Sequence, residues 1–196
     1  NELYGSLCLA KNDYNRYGYN HTLYNYSKAD VIQHLQELNL TAGFRNLAEN
    51  SLGVNYNPNI AVDFYASVDN LSERTININL PAELTINKQF SASAEIKADL
   101  TRYSTKGYIP NNYFFNNNVV QILPLVKYNG DAFQLNAGII PTWDNGRLSL
   151  LPNIYGEAFL PDKNFSVQAG IVGALNKNTY RNLSLRNPYL LHNNTQ

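Results

Sequence analysis

F-S-A-S-A-E-I-K-A-D-L-T-R-Y, residues 90–103, alternates apolar and polar residues from Phe90 to Thr101. Phe90, Ala92, Ala94, Ile96, Ala98 and Leu100 fill its even positions, while Ser91, Ser93, Glu95, Lys97, Asp99 and Thr101 fill the odd ones. Side chains of a strand alternate between faces, so this order puts the apolar groups on one side and the charges on the other. A helix would spread Glu95, Lys97 and Asp99 around its circumference. At about 3.3 Å per residue the strand spans roughly 45 Å, against about 17–20 Å for a typical globular strand. Long two-faced strands of this kind suit a transmembrane barrel, whose wall alternates lipid-facing and lumen-facing residues.

Composition agrees with that expectation. Charged residues make up 15% of the 196-residue chain, and tyrosine alone numbers 15. Soluble domains usually carry about 25% charged residues. The formal net charge is zero, so no field favours nucleic acid or an acidic surface. No run reaches the roughly 18 apolar residues that a spanning helix needs, whereas barrel strands hide their hydrophobicity in alternation. The chain lacks methionine, which fits a processed protein or a piece of a longer one, and it shows no signal peptide. The one cysteine, Cys8, has no internal disulfide partner and reads as a small packed or lipid-facing residue.

Outward from the opening stretch, alternation recurs along most of the chain. Residues 3–12 read as a first strand, followed by a Tyr- and Asn-rich loop over 13–26. Ser27 and Asp30 resemble a capping box, and Val31, Leu35 and Leu38 follow at helical spacing, so a short loop helix is expected from Ser27 to Glu37. His34 would be a surface residue on it. Further strands are expected over 38–44, 60–68, 75–80, 119–128, 132–143, 148–159 and 165–175, with an irregular segment over 104–118. Pro81 and Asn87-Lys88 break the chain before the opening stretch. Turns are expected at Asn70, Asn129-Gly130, Asn145-Gly146 and Pro161-Asp162, and Asn-Gly between alternating runs is the strongest short hairpin signal. Connections this short imply antiparallel neighbours. The expected fold is all-β: an antiparallel transmembrane β-barrel of about 8–10 strands with one short loop helix. Bacterial barrels take even strand numbers, so the roughly nine runs imply part of a larger barrel, or a complete eight-stranded one if one run is not a strand. Pro124, Pro141 and Pro152 fall inside strands and call for bulges or rim positions, since proline gives no ladder donor.

Three segments carry a family likeness: K-N-D-Y-N-R-Y-G-Y at 11–19, L-S-L-L-P-N-I-Y-G-E-A-F at 148–159, and N-K-N-T-Y-R-N-L-S-L-R-N-P-Y-L at 176–190. Together they resemble outer-membrane β-barrel proteins of Bacteroidota, TonB-dependent receptor-like or porin-like, without an evident plug. The resemblance implies an outer-membrane location, lipid around the wall, other outer-membrane proteins as partners, and a loop at Asn178-Thr179-Tyr180-Arg181 following a barrel strand.

No nucleophile elbow, phosphate-binding glycine loop or zinc spacing is present, and His21, His34 and His192 are scattered. Neither a catalytic site, a metal site nor a cofactor is expected. Asp63, Asp69, Glu95, Lys97, Asp99, Lys127 and Glu157 are candidate polar residues facing the lumen, and Tyr103 and Trp143 are candidates for an aromatic belt at the lipid boundary. A glycosidase-like carboxylate pair is the weaker reading of the acids. The expected function is porin- or transporter-like passage of small solutes. The alternatives are a non-conducting accessory barrel in a larger uptake or assembly complex, and a soluble β-sandwich binding module.

Overall fold

The opening stretch is the centre of one antiparallel sheet. The computed structural model describes residues 1–15, 22–23, 25–27, 31–48, 50, 52–67, 71–105, 113–160 and 165–187. They form strands β1 (Glu2–Asn15), β2 (Ile32–Arg45), β3 (Val54–Tyr56), β4 (Asn59–Ser67), β5 (Leu71–Thr85), β6 (Phe90–Thr105), β7 (Tyr113–Asn129), β8 (Phe133–Asp144), β9 (Arg147–Phe159) and β10 (Ser166–Val172), then helix α1 (Tyr180–Arg186). The ten-stranded sheet runs β1-β2-β4-β5-β6-β7-β8-β9-β10, with β3 paired to β5 beside β4. The chain is therefore all-β and meandering. The sheet is open, because β1 and β10 each pair on one side only. No helix of the described residues is long and apolar enough to cross a membrane, which says nothing of strands.

Register assigns the two faces. Ile96 lies between Leu80 and Ile122, and Lys97 between Asn79 and Gln121. Followed strand by strand, the apolar face carries Leu7, Leu40, Ile60, Ile76, Ile96, Ile122, Ile139 and Ile154, all of them exposed. The opposite face carries Asp63, Glu73, Thr75, Thr101 and Thr142, all of them buried. Burial is thus inverted relative to a sheet in a soluble domain. The strands are also staggered. Cα partners carry Gly5 of β1 to the level of Ala98 on β6, whereas Val172, the last residue of β10, is level with Ser93.

Several expectations need correction. The helix expected from Ser27 to Glu37 is overturned from Ile32 onward, which belongs to β2; residues 28–30 lie outside the described residues. Backbone pairing wins over the local helical spacing: Gln33 to Leu38 pair with β1, Gln33 Nε2 donates to Ser67 Oγ at 3.3 Å, and His34 Nδ1 lies 2.6 Å from Asp13 Oδ1. The described residues of the segment 104–118 are strand, since β6 continues to Thr105 and β7 begins at Tyr113; residues 106–112 lie outside them. Asn116 to Asn118 pair with Leu100 to Arg102; ladder bonds use the backbone, so an asparagine tract does not end them. Pro81 does not break β5. It falls between Asn79, where pairing with β4 stops, and Ala82, where pairing with β3 begins.

The other prolines are accommodated without bulges in the register. Pairing of β7 with β8 stops at Gln121–Thr142 and resumes at Leu125–Gly138, skipping Pro124 and Pro141 with no shift. Gly138 sits at this gap, where a Cβ would lie 2.3 Å from the Pro124 carbonyl oxygen. Pro152 lies just past Asn153, the last β9 residue paired with β10. The Asn145-Gly146 turn has positive φ at both residues, 47° and 88°, as a two-residue hairpin turn requires. The expected turns at Asn70 and Pro161-Asp162 lie outside the described residues.

Candidate functional site: the strapped polar face

Polar side chains at alternate positions of neighbouring strands converge on one face, and their hydrogen bonds run across the sheet. Asp63 accepts from Asn39 Nδ2 at 2.6 Å and Asn77 Nδ2 at 3.1 Å, tying β2, β4 and β5 together. Thr75 and Thr101 hydroxyls are 2.9 Å apart, and Thr101 donates to Asp99 at 3.1 Å. Lys127 reaches from β7 over β6 to Glu83 at 2.8 Å, and Ser91 donates to the same carboxylate at 3.1 Å. Glu95 and Lys97 pair at 3.1 Å.

Across the upper part of this face, the end holding the Asn145-Gly146 turn, lies a strap formed by residues 173–187. It leaves the end of β10, where the Gly173 N–H donates to the Pro152 carbonyl of β9 at 2.8 Å. Lys177 then drives its ammonium into the sheet, pairing with the Asp99 carboxylate and donating to the Asp99 carbonyl at 3.1 Å and to Thr101 Oγ1 at 2.7 Å. Burial pulls this amine below the usual lysine range, and the Asp99 carboxylate opposes the shift. Asn117 Nδ2 donates to the Asn178 carbonyl at 3.1 Å.

Helix α1 follows. Thr179 is its N-cap, accepting from the Asn182 N–H at 3.2 Å, and the Asn187 N–H closes the other end on the Leu183 carbonyl at 2.9 Å. Positions i and i+4 share a helix face, so Tyr180 and Ser184 point together into the sheet, and both are buried. The Tyr180 ring lies 6.0 Å from Tyr65 and 5.7 Å from Tyr103, while Tyr65 and Ser184 hydroxyls are 2.7 Å apart. With Leu35 and Leu71 these rings form a hydrophobic core cluster. Arg181 pairs with Glu37 of β2, and its N–H donates to the buried Glu73 of β5 at 3.3 Å. Beside the strap remains a cavity of about 750 Å³ whose lining includes Tyr103, Tyr113, Phe115, Asn117, Lys177 and Tyr180.

Asp63, Glu95, Lys97, Asp99, Lys127 and Glu157 all lie on this polar face, as alternation places them. Asp69 lies outside the described residues. Asp63 is buried among the amides of Asn39 and Asn77, whereas Asp99 keeps a side chain 38% exposed and is paired to the strap. Tyr103 is corrected as a belt residue. Its odd position on β6 turns it to the polar face, where it is buried against Tyr180. Trp143 does lie on the apolar face, between Val120 and Leu148.

Other aromatic residues collect towards both ends of that apolar face. Phe90, Tyr128 and Phe133 stack at 5.0 and 4.8 Å near the lower end, and Phe44 meets Tyr56 at 5.7 Å. Phe64 and Trp143 lie towards the upper end, with the Arg74 guanidinium 6.0 Å from the Phe64 ring. Strand parity together with position along the strand would have found these residues.

Sequence reasoning missed Glu37, Glu73, Lys177 and Arg181 as a group. Helix α1 has only seven residues, and the family likeness implies a loop at its N-cap threonine. The contacts join residues more than 70 positions apart, so no local period marks them. No protein-family model, curated protein or solved structure matches this chain.

Proposed function

We propose that the chain forms part of the wall of a transmembrane β-barrel in a bacterial outer membrane, with a polar lumen that passes small solutes. The observation that carries this reading is the inverted burial: large apolar side chains are exposed on every long strand while the opposite face buries carboxylates and hydroxyls. Hydrocarbon outside and water inside would satisfy both faces. The dimensions support it. On β6 the apolar positions run from Phe90 to Leu100, ending at Arg102. Ten residue steps cover about 33 Å along a strand, or about 25 Å of membrane at the usual tilt, which matches the apolar band of such barrels. The stagger between β1 and β10 is of the kind that tilted, closed strands require.

Topology adds a condition. Neighbours alternate in direction along the nine-strand path, so β1 and β10 point the same way. Antiparallel closure therefore calls for an odd number of further strands between them, which gives a larger barrel of even strand number. The strap lying on the polar face favours a second reading, a non-conducting accessory subunit of an uptake or assembly complex. A soluble β-sandwich would need a second sheet over the apolar face, and among the described residues nothing covers it.

The test is electrophoretic mobility of the full-length, detergent-extracted protein before and after boiling. A folded barrel is expected to migrate differently from the boiled chain. Recovery in the soluble fraction with identical mobility would refute the barrel and support the sandwich.

A further inference from the structure

We propose that residues 173–187 are a constriction strap that narrows the lumen, latched to the wall by Lys177–Asp99 and Arg181–Glu37 and opened when the latch is broken. The strap belongs to no strand, and its attachments are mainly side-chain ones. Its cations meet carboxylates on separate strands, Glu37 on β2 and Asp99 on β6, while Glu73 on β5 receives the Arg181 N–H. The sheet ladder does not depend on it, since the pairing of β2, β4, β5 and β6 is complete without it. The strap can therefore leave while the wall stays folded. The cavity of about 750 Å³ beside it shows that it narrows the space over the polar face without filling it.

Lys177 is the key of the latch. Its side chain is 9% exposed and holds both a carboxylate and a hydroxyl of β6. Replacing it by aspartate puts a carboxylate against Asp99, and reversing Asp99 as well restores an attractive pair of the same kind. The lumen role rests on the barrel reading above; the docking of the strap does not.

The experiment uses the full-length protein in detergent micelles, with trypsin cleavage after Arg181 followed by mass spectrometry. K177D is expected to speed cleavage at least about tenfold, because a carboxylate set against Asp99 at this mostly buried position raises the open population that the protease samples. The swap K177D/D99K is expected to return cleavage towards the native rate. Cleavage of the native protein as fast as K177D, or no rescue by the swap, would overturn the latch. In planar bilayers the same K177D protein is expected to show a larger unit conductance, reversed by the swap. Faster cleavage with unchanged conductance would overturn the constriction. Failure of every variant to enter bilayers, with the trypsin pattern intact, would overturn the barrel reading and the lumen role with it, leaving only a docked strap.

Discussion

Ile96→Arg is expected to destabilise the protein folded in a bilayer by about 2–4 kcal/mol, the cost of a cation at the midplane of a barrel's lipid face. Ile96 is central to the apolar band, flanked by Leu80 and Ile122 on adjacent strands, and is 43% exposed. On a water-facing surface the same change would fall within about ±0.5 kcal/mol. Its neighbour Lys97 points to the other face and pairs with Glu95, so Lys97→Gln is expected to be mild in the same assay. Denaturant titration of the protein refolded into lipid vesicles measures both. Equal effects at the two positions would contradict the assignment of the faces.

Tyr180→Ala carries the second large effect, and a local one. The ring is buried between Tyr65 and Tyr103, and deleting a buried aromatic side chain costs about 3–5 kcal/mol. That cost falls on docking of α1, because Tyr180 belongs to the strap and not to the ladder. Hydrogen exchange at the Leu183 and Asn187 amides, which close the helix onto Thr179 and Leu183, is expected to accelerate strongly while β6 amides keep their protection. Equal acceleration in β6 would show that strap and sheet unfold as one unit.

The two kinds of residue in these predictions differ in how plainly the sequence reveals them. Ile96 and Lys97 can be assigned to opposite faces from alternation alone, and the same parity places Asp63, Asp99 and Lys127 on the polar face. Parity says nothing about distance along the chain. Lys177 meets Asp99, and Arg181 meets Glu37, through a segment with no long period of its own. The expected helix gives way to strand from Ile32 onward for a related reason. Val31, Leu35 and Leu38 happen to be spaced as on a helix, yet Leu35 is buried because it faces the polar side beneath the strap's aromatic cluster. Tyr103 is legible from the pattern: it stands at an odd position in the very stretch whose even positions are apolar, so parity places it on the polar face even though an aromatic ring suits a belt.

Contact of the apolar face with lipid is reported directly by the chain's single tryptophan. Trp143 lies on that face next to the Asn145-Gly146 turn, a boundary position for an amphipathic ring. The measurement is quenching of Trp143 fluorescence in the full-length protein, folded into vesicles whose acyl chains carry bromine at shallow or deep positions. Strong quenching, greater from the shallow position, is the expected result. Fluorescence unaffected by bromine at either depth would contradict contact with lipid.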